Sequence, residues 1–193
     1  MSAWVLVILV FVGLLSAVKL CYVFATGWHI RVTEGALFVP TAPVRISSSL
    51  DAVPMGPREL FVDLGCGDGR VLKAARKRFG VRALGFEVSP LIYLLAKART
   101  LWDRGIRIRR RNFWRGNLAE ADVVFCYLFP DLMERLGRKL EGELKRGARV
   151  ISCNFPIPGW NPSNVLRPAS DRHGDPIYIY LYPDACGKSG PGF

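Results

Sequence analysis

The segment Val62 to Arg70, VDLGCGDGR, concentrates more reactive and conformationally special residues than any other stretch of the chain. Gly65, Gly67 and Gly69 permit a tight turn and let a ligand approach the backbone, with Cys66 between the first two. The loop follows an apolar run of strand length and opens a helix. That places it at the carboxyl end of a strand, where open sheets bind ligands. A dinucleotide fingerprint is the competing reading. Against it, the third glycine of GxGxxG falls at Arg70, and Asp63 and Asp68 would face a pyrophosphate with like charge. Two aspartates suit a cationic ligand instead, while backbone N–H groups at a helix start suit a carboxylate.

S-adenosylmethionine (SAM) has that charge pattern: a sulfonium, an α-ammonium, a carboxylate and no phosphate. Glu87 ends the next strand, the position from which an acid accepts hydrogen bonds from ribose hydroxyls. Asn112 and Phe113, followed by Trp114, offer an amide and aromatic faces for adenine. Tyr127, Phe129, Asn154, Phe155 and Trp160 lie near the ends of the fourth and fifth strands and are candidates for a substrate pocket. Each has core or rim packing as its rival reading. Tyr127 is placed to meet an incoming amine or methyl group, and Asn154 to position it. The five cysteines are scattered without a CxxC pair and the two histidines are His29 and His173, so no metal site or disulfide framework is expected.

The elements that must carry these residues alternate. Strands are expected over Glu59–Leu64, Val81–Val88, Ile106–Arg110, Ala121–Phe129 and Ala148–Phe155, with helices over Gly69–Phe79, from Pro90, and over Asp131–Leu144. Two late strands, Val165–Pro168 and Ile177–Tyr182, have no helix between them. The pattern implies an α/β, Rossmann-like domain whose sheet is mainly parallel with an antiparallel edge hairpin.

Outside this domain, residues 3–25 form an apolar run with Lys19 as its one charge, long enough to span a bilayer. No cation precedes the run, which disfavours a cleaved signal peptide. Lys19, Arg31 and Arg45 follow it, so the catalytic domain of a single-pass protein would face the cytoplasm or an organelle's equivalent side. The expected organisation is a transmembrane anchor over 3–25 and a connector over 26–57 with a short helix. The domain then spans 58–183, and 184–193 form a disordered tail. Net charge is +11, and six arginines lie between Arg104 and Arg115. They suit lipid phosphate, RNA or plain solvation.

DLGCGDGR together with GFEVSP resembles motif I and the acidic strand that follows it in class I SAM-dependent methyltransferases. Phe38-Val39-Pro40-Thr41 resembles the pre-motif of small lysine methyltransferases, and ELKRGARVISCNFPIPGW their fifth strand and exit loop. The relatives are archaeal protein-lysine methyltransferases and the membrane-associated mitochondrial enzymes acting on the ATP synthase c-subunit and the adenine nucleotide translocase. The resemblance runs from Leu37 to Tyr182. It implies SAM as cofactor, held by Asp63, Gly65, Gly67, Glu87 and Asn112, with Thr41 near the methionine end. It implies protein-lysine N-methylation of a membrane or membrane-associated protein. A lipid, quinone-precursor or RNA methyltransferase and a non-catalytic SAM-binding module are the alternatives. CYLFP lacks the Asp/Asn-Pro-Pro-aromatic motif of adenine and glutamine amino-methyltransferases, which disfavours a nucleic-acid amino group.

Overall fold

The computed structural model describes residues 4–5, 11–16, 19, 39–169 and 174–187. Residues 1–37 form one unit and 38–193 another. In the first unit the described residues are helical and exposed. Most of the proposed anchor, Cys21 with it, and the end of the tail from 188 lie outside the described residues. Among the described residues no helix is long and apolar enough to cross a membrane.

The second unit is built on a seven-stranded sheet in the order β3-β2-β1-β4-β5-β7-β6. Its strands are β1 (Leu60–Leu64), β2 (Arg82–Glu87), β3 (Ile106–Arg110), β4 (Val123–Cys126), β5 (Arg149–Cys153), β6 (Asn164–Leu166) and β7 (Ile177–Leu181). The first five run parallel, and β7 joins β5 antiparallel with β6 on its outer edge. The fold is the Rossmann-like sheet with an antiparallel edge that the alternation of elements predicts. Central strands are buried on both faces, hence the near-continuous apolar runs of Leu60–Leu64 and Val123–Cys126.

Helices cover both faces. α1 (Pro43–Ala52), α2 (Arg70–Phe79) and α3 (Pro90–Thr100) lie on the face carrying Phe61, Phe125 and Ile151. α4 (Pro130–Glu143) sets Met133, Leu136 and Leu140 against Val62, Val124 and Val150 on the other. The chain leaves β1 for β2 and β3 on one side, then returns to β4 on the other. The strand order therefore reverses between β1 and β4, which opens a crevice at their carboxyl ends.

Three differences from the sequence expectations have physical reasons. The helix of the connector is ten residues long and belongs to the core, with Ile46 and Leu50 buried. Arg45 and Ser49 share that buried face and break its apolar periodicity. β4 stops at Cys126 rather than Phe129, because Leu64, paired with Cys126, is the last residue of its neighbour β1. The tail begins later than Asp184. Asp184–Cys186 forms a helical turn that buries Ala185.

Candidate active site

The glycine loop leaves β1 at the reversal point. Gly65, Gly67 and Gly69 sit at φ 82°, 55° and 79°, backbone that L side chains rarely adopt. The amides of Gly65 and Cys66 both donate to the carbonyl of Phe86, at 3.0 and 2.8 Å, tying the turn to β2. Beside it, Gly85 has no room for a side chain: a Cβ there would lie 2.6 Å from Cys66 Sγ. Cys66 is thus a packing residue of the loop.

Glu87, almost fully buried, accepts from the amides of Gly67 at 3.0 Å and Ser89 at 2.8 Å. One carboxylate so braces both the glycine loop and the start of α3. Asp63, on the adjacent strand β1, is buried as well. Burial, with Glu87 and Asp68 nearby, holds its pKa well above the usual carboxylate range. Ionising Asp63 is costly unless a cation arrives.

Asp68 plays a different part from the one its sequence position suggests. Arg70 and Arg99 both reach it at 2.7 Å. Burial works against its charge, and these guanidiniums outweigh that and hold its pKa low. Arg70 also donates to the carbonyl of Thr41 at 3.4 Å, which fastens the segment before α1 to the loop. Asp68 is therefore a brace already neutralised by arginines. Asp63 and Glu87 are the other two buried acids of this region.

Asn112 caps a helical turn, its side-chain oxygen accepting from Trp114 N at 3.0 Å. Phe113 packs on Trp114 with centroids 4.6 Å apart, and Arg135 lies over the Trp114 ring at 4.1 Å. Phe113 is half-buried against the α4 face of the core. Asn112 and Phe113 follow β3, whose Arg110 pairs with Glu87 across the sheet.

The five pocket candidates divide. Tyr127 and Asn154 come together, Asn154 Nδ2 donating to Tyr127 Oη at 3.4 Å and to Asp175 Oδ2 at 3.1 Å. Asn154 stands at φ 73°, the one non-glycine residue with positive φ among the described residues. Arg45 donates to its Oδ1, pairs with Asp175 at 3.5 Å and lies 5.5 Å from the centre of the Tyr127 ring. Trp160 belongs elsewhere. It is buried on the opposite face of the sheet, edge-on to Tyr180 at 5.6 Å and bonded through Nε1 to Glu141 at 3.1 Å. Phe155 also packs on that face, and Phe129 is exposed at the start of α4. Trp160 is core because the chain after β5 passes to the α4 face of the sheet, where Phe155 and Ile157 pack with it.

Arg45 and Asp175 join Tyr127 and Asn154 in this cluster, and the sequence expectations do not include them. The available signal for Arg45 was a charge on the apolar face of the 43–52 helix; Asp175 sits in a turn-rich segment that gives none. Burial holds the Cys153 thiol up to about 11 and Cys126 up to about 12, so neither serves as a nucleophile at neutral pH. Among the described residues no cluster of histidine, cysteine or acid could hold a metal ion.

Residues 63–164 match the ANTKMT methyltransferase domain, a span of more than half the chain. The protein-lysine N-methyltransferase of Saccharolobus islandicus is 34% identical over 75% of this chain and 92% of its own length. This chain belongs to the ANTKMT methyltransferase family. Two mouse relatives, the lysine N-methyltransferases of the adenine nucleotide translocase and of the ATP synthase C-subunit, are 38% and 37% identical over 58% and 67% of this chain. The chain spans about half the length of those two mouse relatives, 50% and 52% respectively. A solved RNA methyltransferase from Salinibacter ruber, in complex with S-adenosylhomocysteine, superposes with a TM-score of 0.71. It is 26% identical, over 80% of this chain and 98% of that one.

As a member of the ANTKMT family the protein is a SAM-dependent methyltransferase. Its crevice fits that cofactor on chemical grounds. Three glycines at positive φ let a ligand approach the loop backbone, the buried Asp63 with its raised pKa suits a cation, and the Glu87 carboxylate ends the neighbouring strand.

Proposed function

We propose that the protein is a protein-lysine N-methyltransferase acting on a membrane or membrane-associated protein. In this reading SAM is held by Thr41, Asp63, the loop Gly65–Gly69 and Glu87, with Asn112 and Phe113 at the adenine end. Bound there, the cofactor supplies an activated methyl group on a sulfonium, so the protein's task is alignment in a dry pocket.

The observation that carries the lysine assignment is the polar group Tyr127–Asn154–Asp175 at the exits of β4 and β5. Tyr127 Oη and the Asp175 carboxylate are oxygen acceptors. They suit the N–H bonds of a neutral amine and leave its lone pair for attack. A lysine costs about 4–5 kcal/mol to deprotonate at pH 7 in water, and the Arg45 guanidinium beside this group disfavours the charged form of an incoming amine. The archaeal relative, matched over nearly its whole length, bears the same named activity. Residues 3–25 would anchor the enzyme, with the domain on the cytoplasmic or equivalent side. Such an anchor raises the local concentration of a membrane substrate without new contacts.

Tritium transfer from labelled SAM to membrane proteins, lipids and RNA tests the reading, with mass spectrometry of lysine residues in labelled proteins. Label confined to RNA would instead align the enzyme with its Salinibacter neighbour and its exposed arginines. Label confined to lipid equally rejects the lysine assignment. SAM binding without transfer to any fraction would leave a non-catalytic module.

A further inference from the structure

Helix α3 turns its apolar side outward. Ala96 and Thr100 are buried against the sheet, while Leu91, Leu94 and Leu95 on the far side are 76%, 61% and 45% exposed. The stripe continues past the helix end through Leu101 and Trp102, the latter 93% exposed. At helical spacing Leu91, Leu94 and Leu95 fall on one face. Soluble domains seldom present a contiguous patch of this kind without a partner.

The charge around the stripe identifies the partner. Lys97 is exposed beside the stripe, and exposed Arg104, just before β3, and Arg110, at its end, add to it. Arg107 and Arg109 alternate with the buried Ile106 and Ile108 and lie on the other face of the sheet, and Arg99 is held by Asp68. Between residues 90 and 115 the one acid is Asp103, which pairs with Arg76. Leucines and a tryptophan framed by cations form the pattern of a helix lying in a bilayer interface, the cations at anionic headgroups.

We propose that the outer face of α3, with Lys97 and the neighbouring Arg104 and Arg110, docks the catalytic domain on an anionic lipid surface. The contact is separate from the apolar segment 3–25 and does not depend on the lysine assignment. A second copy of the chain is disfavoured, because a two-fold contact would bring the two basic rims together. RNA is disfavoured, because aliphatic leucines offer bases no stacking surface. Helix α3 starts three residues after Glu87. Docking therefore brings the bilayer beside the cofactor crevice.

The test uses the full-length chain and Trp102→Phe, a change at an exposed site outside the catalytic machinery, with SAM affinity as the check on folding. Each is reconstituted in vesicles of phosphatidylcholine with or without phosphatidylglycerol, with brominated or ordinary acyl chains. The difference between the two proteins isolates Trp102 fluorescence from the other tryptophans. We expect brominated anionic vesicles to quench that signal about twofold or more, and brominated neutral vesicles or high salt to quench it far less. Leu94→Glu in the presence of Trp102 should abolish the quenching. Equal signals in brominated and ordinary anionic vesicles overturn the proposal. So does protection of Trp102 from acrylamide without any vesicle, which assigns the stripe to the chain itself or to a second copy. Protection by single-stranded RNA but not by vesicles overturns it in favour of nucleic acid.

Discussion

Replacing Arg45 with methionine tests whether the cluster at the ends of β4 and β5 positions substrate or merely packs. The Arg45 side chain is 4% exposed and bridges Asn154 Oδ1 and Asp175. A hydrogen bond involving a charged group contributes about 1.5–3 kcal/mol net. The Asp175 pair adds little, since its carboxylate is 37% exposed and screened. The guanidinium over Tyr127 contributes about 0.5–1 kcal/mol. Methionine restores most of the packing and removes the desolvation cost of a buried cation, offsetting about 1–2 kcal/mol. The net loss of stability is about 1–2 kcal/mol.

Catalysis should suffer more. Asn154 holds a left-handed backbone that costs about 1 kcal/mol or more, and Arg45 anchors its side chain there. Losing that anchor lets Asn154 and Tyr127 sample other orientations, and about 1.4 kcal/mol of lost alignment is about tenfold in rate. We expect kcat to fall about tenfold to a hundredfold, with SAM affinity within about threefold, since Glu87 and the glycine loop are untouched. Arg45→Lys should recover stability but not kcat, because an ammonium lacks the planar fork that spans two acceptors. Denaturant unfolding, calorimetry with SAM and single-turnover rates provide the readouts. A normal kcat with reduced stability would make Arg45 a packing residue. Rate and SAM affinity lost in parallel would assign the cluster to the cofactor.

Asp63→Asn should weaken SAM binding at least about tenfold by calorimetry, the order expected for removing a buried charge partner. The raised pKa of Asp63 means the free native state binds more protons than the unfolded chain between the unfolded and folded pKa values. Stability of the free enzyme therefore falls as pH rises through that window, while affinity for the cationic cofactor rises; the asparagine variant should flatten both trends. Gly85→Ala forces a Cβ to 2.6 Å from Cys66 Sγ and Leu72 Cδ1, so about 1–3 kcal/mol of stability and part of the SAM affinity should be lost in thermal and calorimetric assays. Trp160→Ala should cost about 3–5 kcal/mol in denaturant unfolding. At permissive temperature its KM for substrate should stay unchanged, and a raised KM would return Trp160 to the pocket.

Much of the domain was legible because its signals are local. β3 runs from Ile106 to Arg110 as expected, and Pro90 opens a helix. The glycine loop and Glu87 could be read from type and spacing, since φ > 0 requires glycine and an acid ending the second strand lies next to the first. Asp68 could not. Its sequence position resembles that of Asp63, yet two arginines from α2 and α3 converge on it only after packing. Trp160 follows the fifth strand closely in sequence, but the loop carries it to the other face of the sheet.

The order of apolar runs, the turn residues and one loop of glycines and acids were enough to define a mainly parallel α/β sheet and a crevice for a cationic nucleoside. Which acids keep their charge available there depends on burial and on arginines distant in sequence, and linear spacing contains neither. The same holds for the grip of Arg45 on Asn154, which joins residues 109 positions apart. An outward stripe of leucines on α3 reads in sequence like any core-facing helix. Only the packed sheet reveals which of its faces the core has left exposed.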